Sequence, residues 1–327
     1  MAKIKEHYDL TKIAQLNSLE SNLKKAIKGQ DHVIERVVRY VKNGEMKLPD
    51  ANRPRGTFLF LGPTGTGKTE LTKQLTNEIF GDHKEKLIRF DMSEYQTKES
   101  LSKIIGDDSG FEGRLGTFLL DNQNDGGVIL FDEMEKAHKD VLLIFLQILD
   151  DARITTGKNT LHNLNNFYII LTSNIGSEML MKGKRLSQQQ IEDLIAKKVI
   201  AAGYPPEFLG RFNEVICYKR LSNEVIRDIA TYMIQQEVKR LKEQKGIELN
   251  YTEDFIELGV MQGSNTQLGA RPMRSWVSKT VQTAITDKLL AQESPHGDII
   301  INKKEMTVSI SPFQSEETPS FPLTSLN

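Results

Sequence analysis

The stretch GPTGTGKT occupies residues 62–69, directly after the apolar run TFLFL at residues 57–61 and before a helical pattern that contains Leu71 and Leu75. Glycines at this spacing before Lys and Thr are typical of the phosphate-binding loop that joins a strand to a helix. The glycines let backbone N–H groups surround phosphate oxygens, and the start of the helix adds partial positive charge. A glycine-rich turn that happens to contain a lysine would not need this strand and helix around it. We therefore predict that ATP phosphates bind at Gly62, Pro63, Thr64, Gly65, Thr66, Gly67, Lys68 and Thr69.

Four further apolar runs follow the first, at residues 87–92, 128–131, 167–172 and 214–218, with helical patterns between them. Runs without polar alternation suit strands that are buried on both faces, and alternation with helices indicates a parallel sheet. The sequence therefore predicts an α/β fold of the P-loop NTPase type, with a five-stranded parallel αβα core. A helical pattern up to residue 47 precedes this core.

The pattern changes after residue 221, where Ser222 is a suitable N-cap for a long helix. A second helical pattern covers residues 271–290, strand-like alternation occurs at 247–251, and 299–301 and 306–310 suit a hairpin. These features predict a small α+β domain. We expect an N-terminal extension at 1–17, a large domain at 18–220, a small domain at 221–311 and a disordered tail at 312–327, where Ser, Thr and Pro are frequent.

Two carboxylates, Asp132 and Glu133, follow the third apolar run at the sheet edge where such folds bind ligands. We expect Asp132 and Thr69 to hold Mg2+, and Glu133 to orient and activate the attacking water. Asn174 ends the fourth run and is placed to position that water from the other side. Taken alone, an Asn at a strand end is more often a turn former.

The charge and cysteine content of the chain bear on whether nucleic acid or a membrane is a partner. The 327 residues include 43 Lys and Arg and 44 Asp and Glu, a net charge of -1. Because duplex binding usually requires a basic surface, nucleic acid is not expected as a partner. The one cysteine, Cys217, cannot form an internal disulfide, and no signal peptide or long apolar run is present. We therefore expect no membrane contact and a cytoplasmic location.

Seven motifs in order resemble the Clp family of AAA+ unfoldases, and most of all the second ATPase module of ClpB-type disaggregases. They are GPTGTGKTELTKQL (62–75), IRFDMSEY (88–95), ILFDEMEKAH (129–138), QILDDARIT (147–155), TSNIGS (172–177), PPEFLGRFNE (205–214) and LGARPMRSWV (268–277). The resemblance covers residues 18 to 310. It implies an AAA+ fold with a C-terminal lid domain, assembly as a homohexamer, ATP hydrolysis coupled to work on a protein substrate, and a possible adaptor.

The resemblance also implies roles for individual residues. Asn174 would be the first sensor, Arg211 the arginine finger offered to a neighbour's nucleotide, and Arg271 the second sensor on the small domain. Without the family resemblance, the sequence would indicate only that Arg211 is a solvated arginine after a glycine and that Arg271 lies near the start of a helix. The substrate-gripping pore loop would be Gly110, Phe111, Glu112 and Gly113, with Phe111 as the wedge, and a lower pore loop would lie at residues 153–161. The alternative for Phe111 is a side chain that anchors its loop to the core.

Several departures from the family change the expected function. The pore loop continues as Arg114-Leu115-Gly116 and is shorter than usual, and no Ile-Gly-Leu or Ile-Gly-Phe tripeptide occurs in residues 175–205. We therefore expect no docking on a ClpP-type peptidase. No amino-terminal substrate domain, first ATPase module or middle domain is present, which favours remodelling of one dedicated target over general disaggregation. Two alternatives stay open, namely a nucleotide-controlled switch, loader or scaffold without threading, and a DNA-remodelling ATPase.

Overall fold

The computed structural model describes residues 9–50, 52–107, 109–157, 159–178, 187–265, 269–302 and 305–313. The chain divides into two compact units, residues 1–222 and 223–327. Residues 1–8 of the predicted N-terminal extension and 314–327 of the predicted tail lie outside the described residues.

The first unit contains a five-stranded parallel sheet in the order β2-β3-β6-β1-β7. The strands are β1 (Gly56–Leu61), β2 (Leu87–Asp91), β3 (Gly127–Asp132), β6 (Phe167–Ser173) and β7 (Glu214–Cys217). They confirm the five predicted runs. Every residue of β1, β3 and β6 is buried, because helices cover both faces of the sheet.

Alternate residues of each central strand join different cores. Phe58 and Phe60 of β1 pack with the first helices of the chain, whereas Leu59 and Leu61 face the opposite core. The helices of this unit are α1 (Leu10–Ala26), α2 (Asp31–Glu45), α3 (Lys68–Phe80), α4 (His83–Lys86), α5 (Leu101–Ile105), α6 (Gly113–Asn122), α7 (Lys139–Asp151), α8 (Gln188–Ala201) and α9 (Pro206–Leu209).

Helical structure before the core is interrupted, which the periodicity of the sequence did not indicate. α1 ends at Ala26 and α2 begins at Asp31, with Gly29 at φ +72° between them. A left-handed residue cannot continue a right-handed helix, so the chain turns here. α1 also runs without a break through the predicted domain boundary at residue 18.

A short antiparallel hairpin lies outside the main sheet. It pairs β4 (Arg153–Thr155) with β5 (Leu161–Asn163) and occupies the segment in which we predicted the lower pore loop. Because each strand has only three residues, no alternating pattern marks it in the sequence.

The second unit combines three helices with a three-stranded sheet in the order β10-β9-β8. Its helices are α10 (Asn223–Lys245), α11 (Glu253–Gly263) and α12 (Met273–Leu290), and its strands are β8 (Leu249–Tyr251), β9 (Gly297–Asn302) and β10 (Thr307–Ser311). β9 and β10 form the predicted hairpin, and β8 joins β9 in parallel. Apolar side chains from all three helices, including Ile234, Phe255 and Val277, form one core with Ile299.

Candidate functional site

The loop of residues 62–69 leaves the carboxyl end of β1 and enters α3, whose first residue is Lys68. Gly62, Gly65 and Gly67 have φ values of +144°, +75° and +105°. Other residues rarely adopt such angles, and a Cβ atom on Gly62 would also lie 3.0 Å from the Tyr218 backbone and side chain. The glycines therefore allow the backbone to turn its N–H groups toward the space before α3.

Lys68 lies folded back into this loop and is almost completely buried. Its Nζ donates to the carbonyl oxygens of Gly62 and Pro63 at 2.6 and 2.8 Å, and to Oδ1 of Asn174 at 3.1 Å. Burial lowers the pKa of Lys68 from 10.5 to about 8, against the opposing effect of nearby carboxylates, of which Asp132 is the strongest. A buried ammonium that contacts only neutral oxygens is well suited to receive an anion.

Asp132 ends β3 beside this lysine, and its carboxylate accepts several hydrogen bonds. Thr69 Oγ1 donates to Oδ2 at 3.1 Å, Arg89 Nε donates to the same oxygen at 2.9 Å, and the Thr172 hydroxyl donates to Oδ1. Thr172 is a functional residue that sequence reasoning missed. It reaches Asp132 because β3 and β6 are neighbours that pair Phe131 with Leu171, so the next residue of each strand also lies side by side.

Glu133 occupies a left-handed conformation, with φ 58° and ψ 51°, immediately after β3. Its backbone N–H donates to Thr172 Oγ1 at 3.0 Å, and this contact helps to hold the unusual conformation. Asn174 Nδ2 lies 3.4 Å from Glu133 Oε1, while Asn174 Oδ1 accepts from Lys68. The structure thus brings Lys68, Glu133 and Asn174 together, as the sequence predicted.

Glu135 is a second residue that sequence reasoning did not select. Its Oε1 accepts from the Asn174 backbone N–H at 3.1 Å, so it fixes the turn that carries the Asn174 side chain. Its Oε2 is buried and has no hydrogen-bond partner among the described residues. A glutamate two residues beyond Glu133 is visible in the sequence, but its contact depends on the adjacency of β3 and β6.

Comparisons with known proteins agree with this geometry. Residues 53–215 match the family model of the AAA domain (Cdc48 subfamily), and residues 221–301 match that of the C-terminal, D2-small domain of ClpB protein. The chain belongs to the Clp-type AAA+ ATPases, as a module of the ClpB type. Nucleotide binding is a property of this family, so the Clp-type module is a nucleotide-binding protein.

Individual relatives extend the similarity over most of the Clp-type module. A ClpA homologue of Pyropia yezoensis is 36% identical over 312 residues, which are 90% of this chain and 38% of that protein. ClpB of Mycoplasmoides gallisepticum is 39% identical over 279 residues, which are 84% of this chain and 38% of that protein. In the structure of the S. cerevisiae Hsp104:casein complex, one chain superposes with TM-score 0.81 and 28% identity, over 94% of this chain and 53% of its own length. The Clp-type module therefore spans 38% of the ClpA homologue and of ClpB, and about half of the Hsp104 chain.

Arg211 of the Clp-type module lies at the other edge of the sheet from the phosphate loop. Its carbonyl oxygen accepts from Thr57 Oγ1 at 3.2 Å, near the amino end of β1, whereas the loop begins after Leu61 at the carboxyl end. At about 3.3 Å per residue, these ends are about 13 Å apart. The Arg211 guanidinium forms an ion pair with Asp150 near the end of α7. Arg211 is thus directed away from the phosphate loop of its own chain.

Arg271 of the Clp-type module belongs to the second unit, two residues before α12 begins at Met273. Its side chain is exposed and lines a surface groove along α12 together with Arg274, Lys279 and Asp287. A basic side chain at the start of this groove is compatible with a ligand that carries phosphates.

The predicted pore loop of the Clp-type module presents Phe111 to solvent, with 50% of its surface exposed. Phe111 is therefore not a core anchor. The flanking glycines do not leave the loop open, because the Asp107 N–H donates to the Phe111 carbonyl at 3.0 Å and closes a tight turn. A Cβ atom on Gly113 would lie 2.3 Å from the Gly106 nitrogen, so this glycine permits a close backbone approach.

No helix of the described residues is long and apolar enough to cross a membrane. Residues 179–186, part of the 175–205 segment without an Ile-Gly-Leu or Ile-Gly-Phe tripeptide, lie outside the described residues.

Proposed function

We propose that this module binds ATP with Mg2+, hydrolyses it as one subunit of a homohexameric ring, and uses the hydrolysis to remodel a protein target. One observation carries the proposal. Lys68, Glu133 and Asn174 meet at the carboxyl edge of the sheet, whereas Arg211 lies at the opposite edge, about 13 Å away along β1. Such a site has the groups for hydrolysis, and Arg211 of the same chain does not lie at it.

The nucleotide is held mainly by the loop and Lys68. Backbone N–H groups before α3 surround the phosphates, and the Lys68 ammonium exchanges its carbonyl contacts for phosphate oxygens. The Thr69 hydroxyl and the Asp132 carboxylate lie 3.1 Å apart and are hard oxygen ligands of the kind that Mg2+ prefers. Bound Mg2+ would neutralise charge on the phosphates.

Glu133 acts as the base in this proposal. Its carboxylate contacts Asn174, so a water beside the two side chains can donate to Glu133 and contact the amide. Glu135 contributes by holding the Asn174 backbone in place. The water oxygen bonds to the terminal phosphorus while the bond from that phosphorus to the bridging oxygen breaks and ADP leaves, and the proton of the water passes to Glu133.

Completion of the site requires a neighbour. The Arg211 guanidinium of one subunit would leave Asp150 and approach the phosphates of the next subunit, where it stabilises charge in the transition state. By the family resemblance, Arg271 would serve as the second sensor of the bound nucleotide. Hydrolysis would then depend on assembly, as expected for a ring.

Protein is the proposed target class. Hsp104, whose chain superposes on this one, forms a complex with casein, and the exposed Phe111 offers an aromatic wedge that can contact an unfolded chain of any sequence. The absence of an Ile-Gly-Leu or Ile-Gly-Phe tripeptide in residues 175–205 supports remodelling without a ClpP-type peptidase. The buried, single Cys217 is consistent with a reducing compartment such as the cytoplasm.

A trapping experiment tests the proposal. The Glu133→Gln variant is incubated with ATP in cell extract, and the proteins that stay bound are identified, with Lys68→Ala as a control that cannot hold nucleotide. We expect a small set of proteins that require ATP for capture and that the wild-type chain releases or disassembles as it hydrolyses ATP. Nucleotide-dependent binding without any change in the bound partner would favour the switch instead.

A further inference from the structure

The loop that presents Phe111 is attached to the β4–β5 hairpin, residues 153–163. We call the described residues 106, 107 and 109–113 the Phe111 loop. The Gly157 N–H of the hairpin donates to the Ile105 carbonyl, directly before this loop, at 2.8 Å. A Cβ atom on Gly157 would lie 2.1 Å from the Phe111 carbonyl oxygen, so the two backbones approach as closely as glycine allows.

Glu112, the residue after Phe111, makes the side-chain part of this attachment. Its carboxylate accepts from the hydroxyls of Thr156 and Thr160, the latter at 2.9 Å, and Oε2 lies 3.8 Å from His162 Nε2. All three partners belong to the hairpin. The Glu112 side chain is only 11% exposed, although the neighbouring Phe111 is half exposed. A carboxylate is rarely removed from water unless its oxygens are satisfied in this way.

The hydrogen-bond directions at Thr156 are mutually consistent. A hydroxyl has one hydrogen, and Thr156 uses it toward Glu112. The contact of 2.9 Å between Thr156 Oγ1 and His162 Nε2 therefore requires an N–H on Nε2 that donates to Thr156. His162, Thr156 and Glu112 thus form a directed chain, in which His162 and Thr156 are buried.

Gly116 provides the space for these contacts. It lies within α6, where glycine is the poorest helix former after proline. A Cβ atom at this position would lie 3.1 Å from Glu112 Oε2 and 3.1 Å from Thr156 Cγ2. Glycine is therefore needed at position 116 because a side chain there would crowd the Glu112 carboxylate and Thr156.

We propose that Glu112 is a positioning residue, which clasps the Phe111 loop to the β4–β5 hairpin so that Phe111 acts as a fixed wedge. The inference rests on the proposed function, because the wedge has a purpose only if the module pulls on protein. A closed turn between Asp107 and Phe111, held to a second element through Glu112, resists displacement when Phe111 is loaded. Glu112 then holds the Phe111 loop in place and does not itself contact the protein substrate.

A double-mutant cycle between Glu112→Ala and Thr160→Val tests the clasp in the full-length chain. The first measurement is hydrogen exchange of the segment at residues 105–113. Loss of one charge-assisted hydrogen bond should raise exchange about tenfold. Thr160→Val should show this rise, and Glu112→Ala, which also loses the Thr156 contact, should show a larger one. The double variant should exchange no faster than Glu112→Ala, because that variant already lacks the contact with Thr160. Asp121→Ala, an exposed carboxylate at the other end of α6, is the matched control and should leave exchange unchanged.

The second measurement is work per ATP, with a fluorescent protein fused to casein as the probe. Glu112→Ala and Thr160→Val should lower the amount of probe unfolded per ATP hydrolysed severalfold, as is expected of Phe111→Ala, and Asp121→Ala should not. Gly116→Ala should also lower the amount of probe unfolded per ATP, because the added methyl group crowds Glu112 and Thr156. Alanine is a better helix former than glycine, so a loss of helix stability in α6 would not explain this decrease.

The outcomes separate the two proposals. Unchanged exchange in either single variant, or multiplied effects in the double variant, overturns the clasp. Raised exchange with full work per ATP overturns the positioning role. A wild-type chain that hydrolyses ATP and remodels neither this probe nor a protein captured by Glu133→Gln refutes the proposed function, while the exchange cycle still decides whether the clasp exists.

Discussion

Nucleotide affinity should fall at alkaline pH because of Lys68. Burial lowers the pKa of its ammonium from 10.5 to about 8, so a large share of Lys68 is neutral above pH 8 when no anion is bound. Phosphates beside the ammonium favour the charged form and return the pKa toward its ordinary range. Binding above pH 8 must therefore take up a proton, and below pH 8 it need not.

The size of the effect follows from the two pKa values. Each unit corresponds to about 1.4 kcal/mol, so the buried charge costs the nucleotide-free protein about 3 kcal/mol below pH 8. Between pH 8 and 10.5 the unfolded chain binds more protons at this residue than the folded chain, so this cost is relieved as pH rises. Nucleotide affinity changes in the opposite direction and should weaken about tenfold between pH 7 and pH 9.

Titration of a fluorescent ATP analogue at pH 7, 8 and 9 measures this dependence by anisotropy. Lys68→Arg is the control, because a guanidinium stays charged throughout this range and its affinity should be flat. Calorimetry at pH 9 in two buffers of different ionisation enthalpy should detect uptake of close to one proton per nucleotide. An affinity that is flat from pH 7 to 9 in the wild type, or an equal slope in Lys68→Arg, would refute the reasoning.

Three further variants test the catalytic and gripping residues. Glu133→Gln should keep ATP binding and lose most hydrolysis, because an amide cannot accept the proton of water; phosphate release compared with analogue binding measures both. Arg211→Ala subunits and Glu133→Gln subunits should each be inactive when assembled alone. Mixed rings should recover part of the hydrolysis, at interfaces where an intact Glu133 faces an intact Arg211. If rings that are proven to be mixed recover no hydrolysis, an arginine finger in trans is contradicted. Phe111→Ala should retain its thermal midpoint and its hydrolysis, because the side chain is half exposed, but should fail to unfold a casein-fused probe; a variant that unfolds the probe at the wild-type rate would contradict the wedge.

The strands of the large unit were predictable because burial on both faces leaves continuous apolar runs. The run at 57–61 became Gly56–Leu61, and that at 128–131 became Gly127–Asp132. Short elements were not predictable. The three-residue strands of the β4–β5 hairpin are too short to show a period. Gly29, at φ +72°, separates α1 from α2, although the apolar periodicity suggests one continuous helix.

The candidate site was predictable only where function leaves a local motif. The phosphate-loop residues are consecutive in the sequence, and so are Asp132 and Glu133. Their chemical roles can therefore be predicted before the fold is known. The supporting residues depend on strand order, which the sequence does not contain. Thr172 and Glu135 act across the boundary of β3 and β6, and Asp150 meets Arg211 across 61 positions of the chain.

Asp150 connects the two halves of the proposed mechanism. It holds the arginine finger near the end of α7, and the chain then passes through Ala152 into β4 of the hairpin that clasps Glu112. Transfer of Arg211 to a neighbour's phosphates would remove the cationic partner of Asp150, three residues before β4 begins. The decisive comparison is whether Asp150→Asn changes hydrogen exchange in the hairpin and the Phe111 loop: equal exchange in both proteins would mean that finger release and grip are independent, whereas a shared change would identify α7 as the element that joins them.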